Sequence, residues 1–254
     1  MSRWLPENIS TYGGDIDKTF YIIYYLTGVV FLLVAAAMVY YMFKYRDRGD
    51  GRRAIYTHGN NTLEIVWTIL PAVIFLVLGI SAERTWAKIK IDLPEPDLIV
   101  RVDAHQFNWM FTYPGPDGEF AEKEIKAGKP KTPRRADGKN VDDIDVLDNL
   151  VVPVNQVVQL NMNAVDVLHS LFVPELRFKQ DHVPGKEVKG WFKATKTGSY
   201  EIACAELCGF GHTGMKGRLW IVEEAEWARL SKMKKNDLMQ WIIDQAPPVA
   251  ESGS

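Results

Sequence analysis

Two stretches without a charged side chain constrain this chain more than anything else in it. Residues 19–43 (TFYIIYYLTGVVFLLVAAAMVYYMF) run for 25 positions, and residues 65–82 (IVWTILPAVIFLVLGISA) for 18, with no Asp, Glu, Lys or Arg. At about 1.5 Å per residue, helices of this length cross a hydrocarbon core roughly 30 Å thick. Both are therefore predicted to span a membrane, where a helix satisfies its own backbone groups. Average composition hides this, since 47% hydrophobic and 24% charged residues would suit a soluble protein. A cleaved signal peptide does not fit the first run. Its flank is acidic (Glu7, Asp15, Asp17), it is too long for an h-region, and a second span follows.

The linker Lys44-Tyr-Arg-Asp-Arg-Gly-Asp-Gly-Arg-Arg53 carries five basic and two acidic residues in ten positions. The positive-inside rule keeps it cytoplasmic and puts both termini on the opposite, outer side. Trp4, Tyr21, Tyr24 and Tyr25 are expected at the outer interface of the first span, Tyr40, Tyr41 and Tyr45 at its inner end, and Trp86 at the outer end of the second. Pro71 should kink the second span. Glu64, at its cytoplasmic end, is either a solvated carboxylate favoured by the helix dipole or a collector of protons for an intramembrane path. Before Ile91 there are 10 Lys+Arg and 7 Asp+Glu, and from there on 20 and 25, a balance of +3 and then −5. That excludes a nucleic-acid binder relying on a basic surface, and two cysteines exclude a disulfide-dense mini-protein.

From Leu98 the hydrophobic period becomes two. In Val157-Val-Gln-Leu-Asn-Met-Asn163, Val158, Leu160 and Met162 are expected to face inward and Gln159, Asn161 and Asn163 to face water. Similar runs at 98–103, 106–113, 188–194, 200–203 and 217–222, separated by turns rich in Pro, Gly and Asp, predict a β-sandwich or barrel. Residues 119–148 read as a long polar excursion, 225–243 as a helix, and 247–254 as a frayed tail; no internal repeat is present.

The chemistry concentrates in Cys204-Ala-Glu-Leu-Cys-Gly-Phe-Gly-His-Thr-Gly-Met215, with Asp166-Val-Leu-His-Ser170 upstream. Thiolate and thioether are soft ligands that favour Cu(I), and imidazole serves copper in either oxidation state. One Cys, two His and an axial Met would make a single-copper electron-transfer site, but here there is a second thiolate. Two cysteines four apart can instead bridge a pair of coppers, each metal taking one His and one weaker ligand. Such a site carries electrons and has no open position for substrate. A Cys204–Cys208 disulfide would close a very short ring and leave Glu206, His212 and Met215 unexplained. Zinc fits poorly because methionine is not among its usual ligands.

The two-span hairpin, the His-Ser pair and the C-x-E-x-C-G-x-x-H-x-x-M run together resemble subunit II of the cytochrome c oxidases of the haem–copper superfamily, over about residues 17–227. The resemblance implies an all-β, cupredoxin-like Greek-key barrel with a dinuclear CuA centre of two copper ions, following the hairpin and followed by a C-terminal helix. Its implied divisions are an outer N-terminal segment (1–18), the hairpin (19–91, spans about 19–43 and 64–86, loop 44–63), the CuA domain (92–222), and the C-terminal helix and tail (223–254). By resemblance, Cys204 and Cys208 bridge the coppers, His169 and Met215 complete one, and His212 and the Glu206 carbonyl complete the other. The Glu206 side chain would reach a magnesium ion at the boundary with subunit I. Glu64 would mark the mouth of a proton channel, and the segment 179–185 would lie near subunit I. The family's usual electron-entry tryptophan is replaced here by Phe107, with Trp109 a substitute if strand alternation puts it on the same face.

What the resemblance implies about function is electron entry into a membrane-bound terminal oxidase of the bacterial inner membrane. Cytochrome c would dock on the outer domain, and oxygen would be reduced at haem in subunit I with proton pumping. Asp148 and Asp166 are docking acids by resemblance, or else ordinary solvated turn residues. His58, His105 and His182 lack a soft-ligand neighbour and are read as bystanders. Rival readings are a membrane-anchored single-copper shuttle, the CuA subunit of a related enzyme such as a nitric oxide reductase, and a metal-free subunit like those of quinol oxidases. The last would not need the six occupied ligand positions.

Overall fold

The computed structural model describes residues 5–53, 55–56, 58–115, 118–120, 125–126, 129–130 and 143–245. Trp4, the tail 247–254 and most of the polar excursion lie outside them. The chain divides into two compact units, residues 14–92 and residues 1–13 with 93–254.

The first unit is the helical hairpin. Helix α1 (Gly13–Lys44) and helix α2 (Asn61–Lys90) are each longer than the charge-free run at their centre. Their apolar side chains are exposed all round, a surface suited to lipid or to an apolar partner. The Asn60 side chain caps α2, accepting from the N–H groups of Thr62 and Leu63 at 3.0 and 3.2 Å. Helix α2 runs unbroken through Pro71. Asp15, in the first turn of α1, and Lys88, in the last turn of α2, form an ion pair at 3.6 Å.

The second unit is a sandwich of two five-stranded sheets. One sheet orders β10 (Val188–Lys193), β7 (Val157–Ala164), β1 (Leu98–His105), β2 (Asn108–Tyr113) and β5 (Ile144–Leu147). The other orders β6 (Asn149–Pro153), β12 (Lys216–Val222), β11 (Gly198–Cys204), β8 (His169–Val173) and β9 (Phe178–His182). A two-stranded ribbon, β3 (Ile125–Lys126) and β4 (Lys129–Pro130), lies in the excursion. The pairs β1–β7 and β6–β12 are parallel and the others antiparallel.

The alternation places Val158, Leu160 and Met162 inside, beside Val100, Val102 and Ala104 of β1. Gln159 departs from expectation and is buried, because it lies directly between Ile99 and Trp191 on the adjoining strands. The excursion ends earlier than its polarity suggested, since residues 144–147 form β5 against β2. Strands β6, β8 and β9 carry no clean alternation, which is why periodicity alone missed them.

Residues 7–12 belong to the sandwich. The Ile9 N–H donates to the Glu175 carbonyl, Thr195 N–H donates to the Ile9 carbonyl, and Ile9 is fully buried. At the other end the expected single helix is two, α3 (Glu224–Leu230) and α4 (Lys235–Gln245). The turn between them lets Leu230, Leu238 and Ile242 all be buried while Lys232, Lys234 and Lys235 stay in water.

Strand β6 is a sheet edge, and Tyr113 of the other sheet completes it. Its hydroxyl donates to the Val151 carbonyl at 2.9 Å and accepts from the Val151 N–H at 2.7 Å, both buried. Tyr113→Phe leaves two buried backbone groups unpaired, so the expected loss is about 1–3 kcal/mol. Denaturant unfolding followed by tryptophan fluorescence checks this.

Candidate metal centre

The β11–β12 hairpin carries the site. Cys204 ends β11 and Met215 immediately precedes β12, and the Cys204 N–H donates to the Met215 carbonyl at 3.2 Å across the loop's base. The loop turns tightly: His212 N–H bonds the Gly209 carbonyl, Gly214 N–H that of Gly211, and Met215 N–H that of His212. Strand β8 lies beside β11 with Leu171 opposite Cys204, and the Ala205 N–H donates to the Ser170 carbonyl at 2.9 Å. This pairing brings His169 to the cysteines from 35 positions upstream.

The six residues singled out in sequence converge. The ligand atoms of His169, Cys204 and Cys208 lie within 4.8 Å of one another. Cys208 Sγ is 3.9 Å from Cys204 Sγ, 3.6 Å from His212 Nδ1 and 3.8 Å from Met215 Sδ. Cys204 Sγ is 3.2 Å from the Glu206 carbonyl oxygen. Both cysteines are free, and their separation is nearly twice the roughly 2.05 Å of a disulfide bond.

The donor set fits a soft, buried metal centre. His169 is fully buried and its Nε2 is 2.8 Å from Asp166 Oδ1. Nδ1 is left buried without a hydrogen-bond partner among the described residues. Such an orphaned nitrogen costs free energy unless something binds it, and a carboxylate on the opposite ring nitrogen is the usual arrangement behind a metal-ligating histidine. Met215 is buried and Cys208 nearly so. Burial, followed by the neighbouring Cys204 sulfur, pushes the Cys208 thiol up to about 11, so it stays protonated in the absence of a metal.

The turn joining β1 to β2 packs on this loop, and sequence reasoning had not found its part. Gln106 Nε2 donates to the Cys208 carbonyl at 2.6 Å, and Gln106 N–H donates to Asp166 Oδ2 at 2.7 Å. Phe107, half-buried, lies over Gly211, where a Cβ would come within 2.4 Å of its ring. Residues 106–107 form the turn, so strand alternation does not relate Phe107 to Trp109. The expectation of a shared face is corrected: Trp109 is wholly buried, its ring 6.2 Å from that of His169 and 5.3 Å from that of His182. It offers no surface to a docking protein.

Asp148 and Asp166 are likewise not free turn residues. Asp148 accepts from the Trp109 N–H at 2.8 Å, returns its own N–H to the Trp109 carbonyl, and accepts the Arg218 N–H on its carbonyl. Burial raises its carboxyl above the usual range. For Asp166, burial works to raise the carboxyl, but bonds from His169, Gln106 and Val167 outweigh it and hold it below that range. His182, cross-strand from His169, is buried, and that burial pushes its imidazole down to about 4, so the ring is neutral at physiological pH. Glu64 lies exposed in the first turn of α2. Leu207 and Phe210, whose significance the sequence did not signal, project fully into solvent from the loop.

Two apolar helices ahead of a cupredoxin-like sandwich with a buried sulfur–imidazole cluster define a membrane-anchored subunit carrying a metal-binding domain. Family models agree. That of the cytochrome c oxidase subunit II periplasmic domain matches residues 98–222, and that of its transmembrane domain residues 12–82. The alternative cytochrome c oxidase subunit 2 of Bradyrhizobium diazoefficiens is 32% identical over 235 residues, covering 89% of this chain and 83% of that protein. Cytochrome c oxidase subunit 2 of Cereibacter sphaeroides is 30% identical over 231 residues, covering 81% and 74%. The crystal structure of the periplasmic domain of subunit II (CoxB) of Bradyrhizobium japonicum is 30% identical with a TM-score of 0.44, covering 57% of this chain and 99% of that one. The chain belongs to the cytochrome c oxidase subunit II family.

Because a thiol must lose its proton to bind a metal, copper held by Cys208 would have to displace the proton that burial keeps there. Copper affinity should fall by at least about tenfold per pH unit as pH decreases from 8 to 6, one proton competing at that site alone. Chelator competition at several pH values checks the slope.

Proposed function

We propose that this chain is the electron-entry subunit of a membrane-bound cytochrome c oxidase, receiving electrons from cytochrome c and passing them to haem in subunit I. The observation that carries this reading is the pair of unbonded sulfurs 3.9 Å apart, with the partnerless His169 Nδ1 beside them. Two copper ions bound there would supply a one-electron carrier. Cys204 and Cys208 would hold both coppers, with His169 and Met215 on one and His212 and the Glu206 carbonyl on the other. Asp166 fixes the His169 ring and tautomer through Nε2. Buried Met215 and Cys208 close the inner side to water, which suits an electron carrier and leaves no room for a substrate.

Phe107, packed from the β1–β2 turn against the copper loop, is the contact through which electrons enter, and exposed Leu207 and Phe210 of that loop add apolar surface for docking. The excess of acid from Ile91 on steers a basic cytochrome c toward the outer domain. The Glu206 side chain would hold magnesium at the boundary with subunit I, the segment 179–185 would lie near that boundary, and Glu64 would admit protons to a channel within subunit I, where oxygen would be reduced and protons pumped. Residues 19–91 are the anchor and 92–222 the copper domain. Residues 7–12 are bonded into the same domain that α2 leads into, which supports placing both termini outside and the basic linker inside. The bacterial relatives favour a bacterial inner membrane.

Purified chain should contain two coppers and give a dinuclear electron paramagnetic resonance signal. One copper with a blue-site spectrum would overturn the proposal in favour of a single-copper shuttle. Cys204→Ser, Cys208→Ser and His169→Ala should each abolish the dinuclear signal, and persistence in any of them refutes the ligand assignment. Phe107→Ala should slow cytochrome c oxidation roughly tenfold or more while leaving that signal intact; unaltered turnover would move electron entry elsewhere on the domain.

A further inference from the structure

The ligands come from two chain segments, His169 on β8 and the loop 204–215, that are paired only near the loop's start. The last bonds between them are the Cys204–Leu171 register and the Ala205 N–H to the Ser170 carbonyl. Beyond that point, among the described residues, Cys208, His212 and Met215 are held by bonds inside the loop and by Gln106 and Phe107 of the β1–β2 turn packed on it.

We infer that Gln106 is a positioning residue of the copper centre, joining the histidine-bearing segment to the cysteine-bearing loop; this rests on the copper reading above. Its main-chain N–H donates at 2.7 Å to Asp166 Oδ2, and the other oxygen of that carboxylate holds His169 Nε2 at 2.8 Å. Its side-chain Nε2 donates at 2.6 Å to the Cys208 carbonyl. A single residue thus holds both the carboxylate that orients the imidazole and the peptide that orients the second sulfur.

The loop is shaped to receive this amide. Gly209 adopts φ +133°, a conformation that favours glycine, and a Cβ there would lie 2.9 Å from Gln106 Nε2 and 3.3 Å from the Phe107 ring. Both neighbouring residues of the turn therefore need a bare backbone at 209 in order to approach. Gln106 acts through the Cys208 peptide and the Asp166 carboxylate. Without its side-chain bond, the loop from 206 to 214 can shift relative to His169 while the strands beneath stay paired.

The test compares wild-type full-length chain in detergent with Q106A, Q106E and Q106K. Q106E preserves shape but puts a carboxylate, which cannot donate, against a carbonyl, whereas Q106K keeps a donor of sufficient reach. Thermal unfolding without copper confirms that each variant is folded. With copper, Q106A and Q106E should lose metal to excess chelator about fivefold to tenfold faster, the factor expected for one hydrogen bond, with altered hyperfine splitting. Q106K should return both toward wild type. Without copper, amides 206–214 should exchange faster in Q106A and Q106E. Wild-type behaviour of Q106A and Q106E in all three readouts overturns the role, as does a Q106K variant no better than Q106E. A wild-type chain lacking the two-copper signal would defeat the copper reading instead, and exchange in the copper-free chain would still decide the brace.

Discussion

The centre depends on the pairing of β8 with β11. His169 and Cys204 are 35 residues apart and neither strand is strongly patterned, yet the register that sets Leu171 opposite Cys204 delivers the imidazole to within 4.8 Å of both sulfurs. The β11–β12 hairpin then closes the loop at its base through Cys204 and Met215. The remaining ligands follow from that closure, because twelve residues folded back on themselves leave Cys208, His212 and Met215 little freedom to be elsewhere.

Around this frame, two aspartates serve as braces. Asp148 stitches Trp109 of one sheet to Arg218 of the other, and Asp166 collects His169, Gln106 and its own neighbour Val167. Asp166 acts through its carboxylate alone, and Asp148 through its carboxylate, main-chain N–H and carbonyl together, so both acids hold the site's surroundings in place. Trp109 fills the space behind the site between two histidine rings, with both sheets closed over it.

Much of this was legible in the residues alone. Charge-free runs of 25 and 18 positions announced the helices, and the β7 alternation announced its buried face. The spacing of Cys204, Cys208, His212 and Met215 pointed to soft-metal chemistry because few other arrangements need both sulfurs and an imidazole so close. Less legible were β8 and β9, whose residues are buried by neighbouring strands without any period-two pattern, and the break between α3 and α4, which tertiary burial of Leu230 and Leu238 decides. Trp109 was misplaced because alternation was carried through residues that turn.

By itself, then, the sequence determined what depends on local composition: where an apolar helix must run, which strand faces are dry, and which soft ligands share one loop. Only the tertiary structure decided what depends on segments far apart in the chain. It turned Gln106 toward the Cys208 carbonyl and Asp166 toward His169, and it buried Trp109 while leaving Phe107 on the loop. The physical reason is that such contacts are set by strand register and turn geometry, which no single stretch of residues specifies.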